Sequence, residues 1–261
     1  MSDHTRIETD VMDVARARAL QATLGQMPTI EFGHRLPPFF HQIYFWDAQT
    51  PDKLGRDGHP AVGGFIPDMG LPRRMWAAGK LVFHRPLFAG ARAERASHIE
   101  NVVRKDGRSG PLAFVRVRHD IRQRASLVLS EWQELVYRPD EITTMTEPPT
   151  APTGESAAET VRYDATQLFR YSALTFNGHR IHYDVDYARN VEGYDGLVVH
   201  GPLHAHMLMG LAERQQGDLT EFTYRATSPV IAGEEVTYCW KDGAVWARGA
   251  NGRLCMSGQA R

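Results

Sequence analysis

Two short turns, Asp242-Gly243 and Asn251-Gly252, constrain this chain more than any other feature. A two-residue hairpin connection needs positive φ at its centre, which Asn or Asp followed by Gly supplies readily, and both turns sit between runs of strand-forming residues. Glu235 to Lys241, Ala244 to Gly249 and Leu254 to Gln259 are therefore predicted as successive antiparallel strands, with Thr220 to Ala226 as a fourth. The same texture occurs earlier, over Leu81 to His84, Ala93 to Arg104, Leu112 to Ile121 and Leu127 to Tyr137. Lys105-Asp106-Gly107 and Arg122-Gln123-Arg124 are the joints there, so the chain predicts two antiparallel meanders.

The meanders share a phrase. Pro86-Leu87-Phe88-Ala89-Gly90 parallels Pro229-Val230-Ile231-Ala232-Gly233, each entering a long strand, and a duplicated unit is the economical explanation. Between them, Pro139 to Thr160 is rich in Pro, Thr, Glu and Ser and reads as an exposed linker. The expected organisation is α+β, with one unit over residues 1–138, a linker over 139–160 and a second unit over 161–261. Apolar spacing over Asp10 to Leu24, ended by Gly25, predicts a packing helix. Residues 28–78 carry Pro, Gly and aromatics with no period that assigns them.

Most of the candidate chemistry falls in residues 169–206. Asp164 with Gln167 three residues on forms a capping pattern, so Ala165 to Thr175 is predicted as a helix that stops at Asn177-Gly178. The next loop carries His179 and His182. Asp184 caps a short helix over Val185 to Asn190, and Leu203, Met207, Leu208 and Leu211 recur at three and four, predicting a buried helix from Pro202 to Glu213. Gly201 then stands where a helix begins, with an unpaired N–H at the positive end of the macrodipole, suited to an oxygen that gains negative charge.

At 261 residues and 42% hydrophobic composition the chain is large enough for one or two real cores. A formal net charge of −1 leaves no basic stripe for nucleic acid. No apolar run approaches the length of a bilayer span and the start is polar, so neither a membrane segment nor a secretory signal is expected, and the chain reads as cytoplasmic. Cys239 and Cys255 fall in strand-like segments without a CxxC pattern and are expected as buried free thiols.

The run Phe169-Arg170-Tyr171-Ser172-Ala173-Leu174-Thr175-Phe176-Asn177-Gly178-His179-Arg180-Ile181-His182, followed by His200-Gly201, resembles the MaoC-type R-specific enoyl-CoA hydratases. It is closest to the branch with two hot-dog units that includes 3-methylfumaryl-CoA (mesaconyl-CoA) hydratase, itaconyl-CoA hydratase and mitochondrial 3-hydroxyacyl-thioester dehydratases. Leu54 to Pro60 and Leu71 to Ala77 also resemble that branch. The resemblance implies a tandem hot-dog in which an antiparallel sheet wraps a central helix and the first half only shapes the pocket. It implies syn addition of water to an acyl-CoA thioester without cofactor or metal. On this chain His182, Asn177 and Gly201 are the catalytic candidates, and Tyr171, His179, Arg180, His200 and Arg225 are the candidates to contact substrate. Either a monomeric pseudo-dimer or a homodimer fits.

The family pairs an Asp with its His, whereas this chain has Asn177 at that position, and Asn takes up no proton. Either His182, with an ordinary pKa of ~6.5, handles both transfers while Asn177 positions the water, or Asp184 or His179 replaces the carboxylate; the first is favoured. His179 and Arg180 stand where the family has Asn and Pro. A guanidinium there suits a substrate carboxylate, with Arg170 or His179 as the other readers, and a solvated Arg180 as the bland alternative. Arg73, Arg74 and Lys80 are candidates for CoA phosphates. A metal site from His179, His182, His200, His204 and His206 competes, although His204 and His206 diverge by about 200° on a helix. A fatty-acyl dehydratase and a non-catalytic thioester binder are the remaining alternatives.

Overall fold

The computed structural model of the chain describes residues 5–107, 110–140 and 147–261. Its first five strands are β1 (Arg6–Val11), β2 (Arg73–Phe83), β3 (Arg92–Gly107), β4 (Gly110–Gln123) and β5 (Ser126–Arg138). The second five are β6 (Ala157–Arg162), β7 (Glu221–Ala226), β8 (Glu235–Lys241), β9 (Ala244–Gly249) and β10 (Leu254–Ala260). They form one antiparallel sheet in the order β1-β3-β4-β5-β2-β7-β10-β9-β8-β6. Each half therefore repeats one topology, and the halves meet edge to edge through β2 and β7, with Ala78 opposite Arg225 and Leu81 opposite Phe222. This seam removes two free sheet edges. The shared Pro-to-Gly phrase occupies the same place in both halves, after β2 and after β7, and each copy makes an isolated bridge, Arg35 to Phe88 and Val198 to Ile231.

Helices α1 (Val14–Thr23), α2 (Ala165–Thr175), α3 (Val185–Asn190) and α4 (Gly201–Gln216) complete the fold. Asp164 and Gln167 form the reciprocal capping box at α2. Leu203, Leu208, Met209 and Leu211 of α4 are buried in one cluster with Val236, Tyr238, Val245 and Ala247 of the second sheet. The first half has no such helix among the described residues. After Arg35 it makes a single 3₁₀ turn, Phe40–Ile43, and apart from one shorter turn the chain then runs irregularly to Arg73. This is the tandem hot-dog with one central helix missing.

The helix is missing and the strand faces change to match. Arg95, Ser97, His119 and Gln133 line the space beneath the first sheet. Glu131, only 2% exposed, is held there by His41 at 3.0 Å and by Gln42. A buried carboxylate survives only when its lone pairs are met in this way.

Four local expectations change, the first being that β2 begins at Arg73, eight residues before the strand read from Leu81. The helix predicted over 10–24 is a strand to Val11 and a helix from Val14, with Asp13 as its cap. Neither β1 nor β6 was anticipated: both alternate exposed with only partly buried residues, which gives an edge strand a faint period. The 139–160 linker is not free over its described second half. Ala151 packs with Cys239 and Trp246, Thr150 bridges Arg253, and Glu155 pairs with Arg248 before β6 begins. One small apolar residue and one carboxylate suffice to seat a Pro-rich strap. Cys239 and Cys255 are buried free thiols.

Candidate active site

Helix α2 ends at Phe176, which takes the left-handed conformation with φ 52° and stacks on Trp46 at 5.1 Å. Asn177 then shapes the loop: its Oδ1 accepts the His179 backbone N–H at 3.0 Å, and its side-chain NH₂ has no partner among the described residues. The loop closes into a 3₁₀ turn, Arg180–His182. His182 Nδ1 lies 2.7 Å from the Val198 carbonyl oxygen, which can only accept, so Nδ1 carries the proton and Nε2 keeps its lone pair. Burial pushes the His182 pKa down to about 3 against the pull of that carbonyl, with His59 adding to the fall. The expectation of an ordinary histidine value is therefore corrected: His182 is neutral and weakly basic.

The start of α4 faces the same space. Pro202 has no N–H, and the Leu203 and His204 amides both reach the His200 carbonyl, at 3.0 and 3.2 Å. The Gly201 N–H has no acceptor among the described residues. Trp76 of β2 comes across the seam so closely that a Cβ on Gly201 would lie 2.9 Å from its Cε3, and Trp76 is itself stacked on Tyr224 at 4.3 Å. A side chain at 201 has no room.

These groups border one cavity of about 720 Å³. The second half contributes Tyr171, Asn177, His179, His182 and Gly201, and Tyr171 brings a buried hydroxyl without a partner among the described residues. The first half contributes His59, Arg74 and Trp76 near this end and Ser97, His119 and Gln133 beneath its sheet. The first half thus supplies ionisable groups as well as walls.

Three of the residues expected to contact substrate fall elsewhere. Arg180 does not line the cavity: it pairs with Asp184 at 2.7 Å and lies over the Tyr187 ring, because a loop cation beside a helix-capping carboxylate satisfies itself locally. Asp184 is spent on that pair and on capping α3 through the Tyr187 N–H. His200 is fully buried behind His182, stacked at 3.6 Å, with Nε2 2.8 Å from Ser172 Oγ. Arg225 is exposed while its neighbours Tyr224 and Phe222 are buried, since side chains alternate along β7. The five-histidine metal set also separates: His204 bonds the Tyr238 hydroxyl at 2.7 Å and His206 packs against Phe39 and Phe40. Among the described residues, the trio whose donor atoms do gather within 4.8 Å is Asp57, His59 and His179. Both Asp57 oxygens are engaged by His59, one by its ring Nδ1 and one by its backbone N–H, each at 3.0 Å. Sequence reasoning assigned no role to Asp57 or His59; the Asp-Gly-His spacing itself was the available signal.

In this double hot-dog a neutral histidine and a helix-start amide without a partner among the described residues share one cavity. The chain belongs to the hydroxyacyl-thioester dehydratase type 2 family, whose model matches residues 39–232. It is 44% identical to the mesaconyl-C(4)-CoA hydratase of Chloroflexus aurantiacus, over 87% of this chain and 82% of that one. It is 24% identical to the mitochondrial hydroxyacyl-thioester dehydratase type 2 of Schizosaccharomyces pombe, over 81% and 80%. The fold is shared with HtdX of Mycobacterium tuberculosis, with TM-score 0.71, 17% identity and 99% of each chain covered. A second Mycobacterium tuberculosis protein, described as a double hotdog, matches with TM-score 0.63 and 13% identity over 100% of this chain and 95% of that one. The chain is thus a hydro-lyase of the hydratase and dehydratase type acting on an acyl thioester.

Proposed function

We propose that this enzyme hydrates mesaconyl-C4-CoA (3-methylfumaryl-CoA) to citramalyl-CoA. The observation that carries this reading is the set of polar side chains, Ser97, His119 and Gln133, that line the cavity beside Val117 and Leu135, where a linear fatty chain would call for apolar groups alone. A branched, short, dicarboxylic acyl group suits such a space, and the 44% identical relative bears that activity in its name.

In the reaction, the water oxygen bonds to the β carbon, which carries the methyl group and the free carboxylate. The double-bond electrons move through the α carbon onto the thioester oxygen, and the α carbon then takes a proton. The Gly201 N–H receives the oxygen as it gains charge, which is usually the largest single term in such catalysis. His182 Nε2 accepts a hydrogen bond from the attacking water, and the Asn177 NH₂ donates to the water oxygen. Arg74 takes the carboxylate-reading duty expected of Arg180: it lines the cavity, and among the described residues it has no ion pair. One chain already joins two hot-dog sheets through β2 and β7, so we assign a monomeric pseudo-dimer. Among the described residues no helix is long and apolar enough to cross a membrane, and with two free thiols the cytoplasm is the proposed compartment.

The test is loss of conjugated thioester absorbance with 3-methylfumaryl-CoA and with crotonyl-CoA. Preference for the dicarboxylic substrate, removed selectively by Arg74→Met, is expected. Preference for crotonyl-CoA would move the enzyme to fatty-acyl chains, and activity on neither would favour a thioester binder.

A further inference from the structure

Asn177 leaves the site without the carboxylate that would accept a proton from water, and His182 replaces it poorly. The Nδ1 partner of His182 is a neutral carbonyl, so an imidazolium forming there gains no counter-charge. A carboxylate does reach the site from the other half of the chain. Gly58 and Gly178 press backbone against backbone, so closely that a Cβ on Gly178 would stand 2.5 Å from the Gly58 carbonyl oxygen. The Arg180 N–H donates to the Asp57 carbonyl at 2.8 Å and ties the same two loops together. Asp57-Gly58-His59 is thereby docked on Asn177-Gly178-His179, and the His59 ring lies 4.5 Å from that of His179, which is 5.4 Å from His182.

Within the docked loop Asp57 Oδ2 lies 3.0 Å from His59 Nδ1. An ionised carboxylate only accepts, so Nδ1 carries the proton, and Nε2 is a lone pair on a residue that lines the cavity and has no partner among the described residues. Hydrogen bonds from His59 hold the Asp57 carboxyl below its ordinary range although burial opposes them. A partly buried imidazole oriented by a carboxylate, as here, resembles the arrangement that steadies a forming imidazolium in hydrolytic triads.

We propose that His59, positioned by Asp57, is the proton acceptor that Asn177 cannot be. His59 Nε2 takes one proton from the water held by His182 as the water oxygen bonds to the β carbon. The electron pair of the double bond passes to the thioester oxygen. The His59 imidazolium then returns that proton to the α carbon on the same face, the thioester carbonyl re-forms, and His59 is neutral again. One water is consumed and no other reactant is needed. Asp57 is a positioning residue in this scheme, and the first half holds part of the chemistry besides shaping the pocket.

The inference rests on the hydration reading, so variants are compared with wild type on whichever thioester wild type hydrates faster. That choice lets a failed substrate assignment be seen separately. The groups facing His59 are Asp57, the Arg74 guanidinium of β2, and His179 and His182 of the opposite loop; burial first and Arg74 next lower its pKa while Asp57 raises it. For Asp57→Asn, kcat is expected to fall about 10²–10⁴-fold with little change in KM. The acid limb of the kcat profile should also move to lower pH, because the imidazolium loses its counter-charge. His59→Gln should lose kcat comparably and lose the limb. The proposal is overturned if Asp57→Asn keeps wild-type kcat or an unmoved limb. It is equally overturned if the losses appear in KM or unfolding temperature instead, or if chelator treatment of wild type abolishes activity and a divalent metal restores it.

Discussion

Adding one methyl group at Gly201 tests how the seam between the halves shapes the site. The new Cβ would stand 2.9 Å from Trp76 Cε3. Carbon atoms pack at about 3.5–4.0 Å, so between roughly 0.6 and 1.1 Å of movement must be found. Trp76 has little slack: it is stacked on Tyr224 at 4.3 Å with the planes 18° apart. The Tyr224 hydroxyl in turn fills the space over Gly79, where a Cβ would collide with it. The start of α4 must therefore give way, carrying the 201 amide with it. Loss of one oxyanion donor costs about 10²–10³ in kcat, or about 2.7–4 kcal/mol, and overpacking costs about 1–3 kcal/mol of stability. Steady-state kinetics and thermal denaturation of Gly201→Ala should show kcat reduced by that factor, KM little changed and a lowered unfolding temperature. Trp76→Leu introduced into the same variant should recover part of the kcat by opening room for the methyl. Near-normal turnover in Gly201→Ala, or no recovery in the double variant, would refute the reasoning.

Acid should unfold the protein through its buried neutral histidines. Burial holds His182 and His206 to about 3 and His204 to about 4. With an unfolded value of about 6.5 the unfolded chain binds more protons below that pH, so stability is complete above about 6.5 and is lost as pH falls toward 3–4. At about pH 5 each group costs about 2 kcal/mol, a large share of an ordinary stability, and denaturant midpoints at about pH 7.5 and 5 should differ accordingly. An unchanged midpoint would refute the buried neutral state. At Asn177, replacement by Asp keeps the acceptor for the His179 N–H and should retain or raise turnover. Asn177→Ala removes both that bond and the water donor and should abolish turnover; an active Asn177→Ala would take Asn177 out of the mechanism.

Legibility followed the range of the physics. The Asp-Gly and Asn-Gly hairpins, the capping box at Asp164 and the helix from Gly201 depend on residues within a few positions of one another, and their structural bounds lie within three residues of those read from the sequence. The strap around Ala151 is mostly exposed over its described residues, in keeping with its composition, but its one buried contact, Ala151 on Cys239 and Trp246, is invisible locally because the partners lie far along the chain. Arg180 was misassigned for the converse reason. Its charge is visible in any sequence, but its neutralisation by Asp184 and its seat over Tyr187 depend on how the 3₁₀ turn closes.

By itself the sequence determined two strand-rich units, a helix-start glycine after a histidine, and the absence of a titratable group at 177. These are consequences of local propensity and of side-chain chemistry, which travel with the residues wherever they fold. Only the tertiary structure decided that β2 and β7 would pair, bringing Trp76 onto Gly201 and Gly58 onto Gly178 across more than a hundred residues. Nothing local encodes those approaches, because they arise from fitting the edges of two sheets together. That fit assembles His59 and Arg74 with His179 and His182 around one cavity, with Asp57 held against His59.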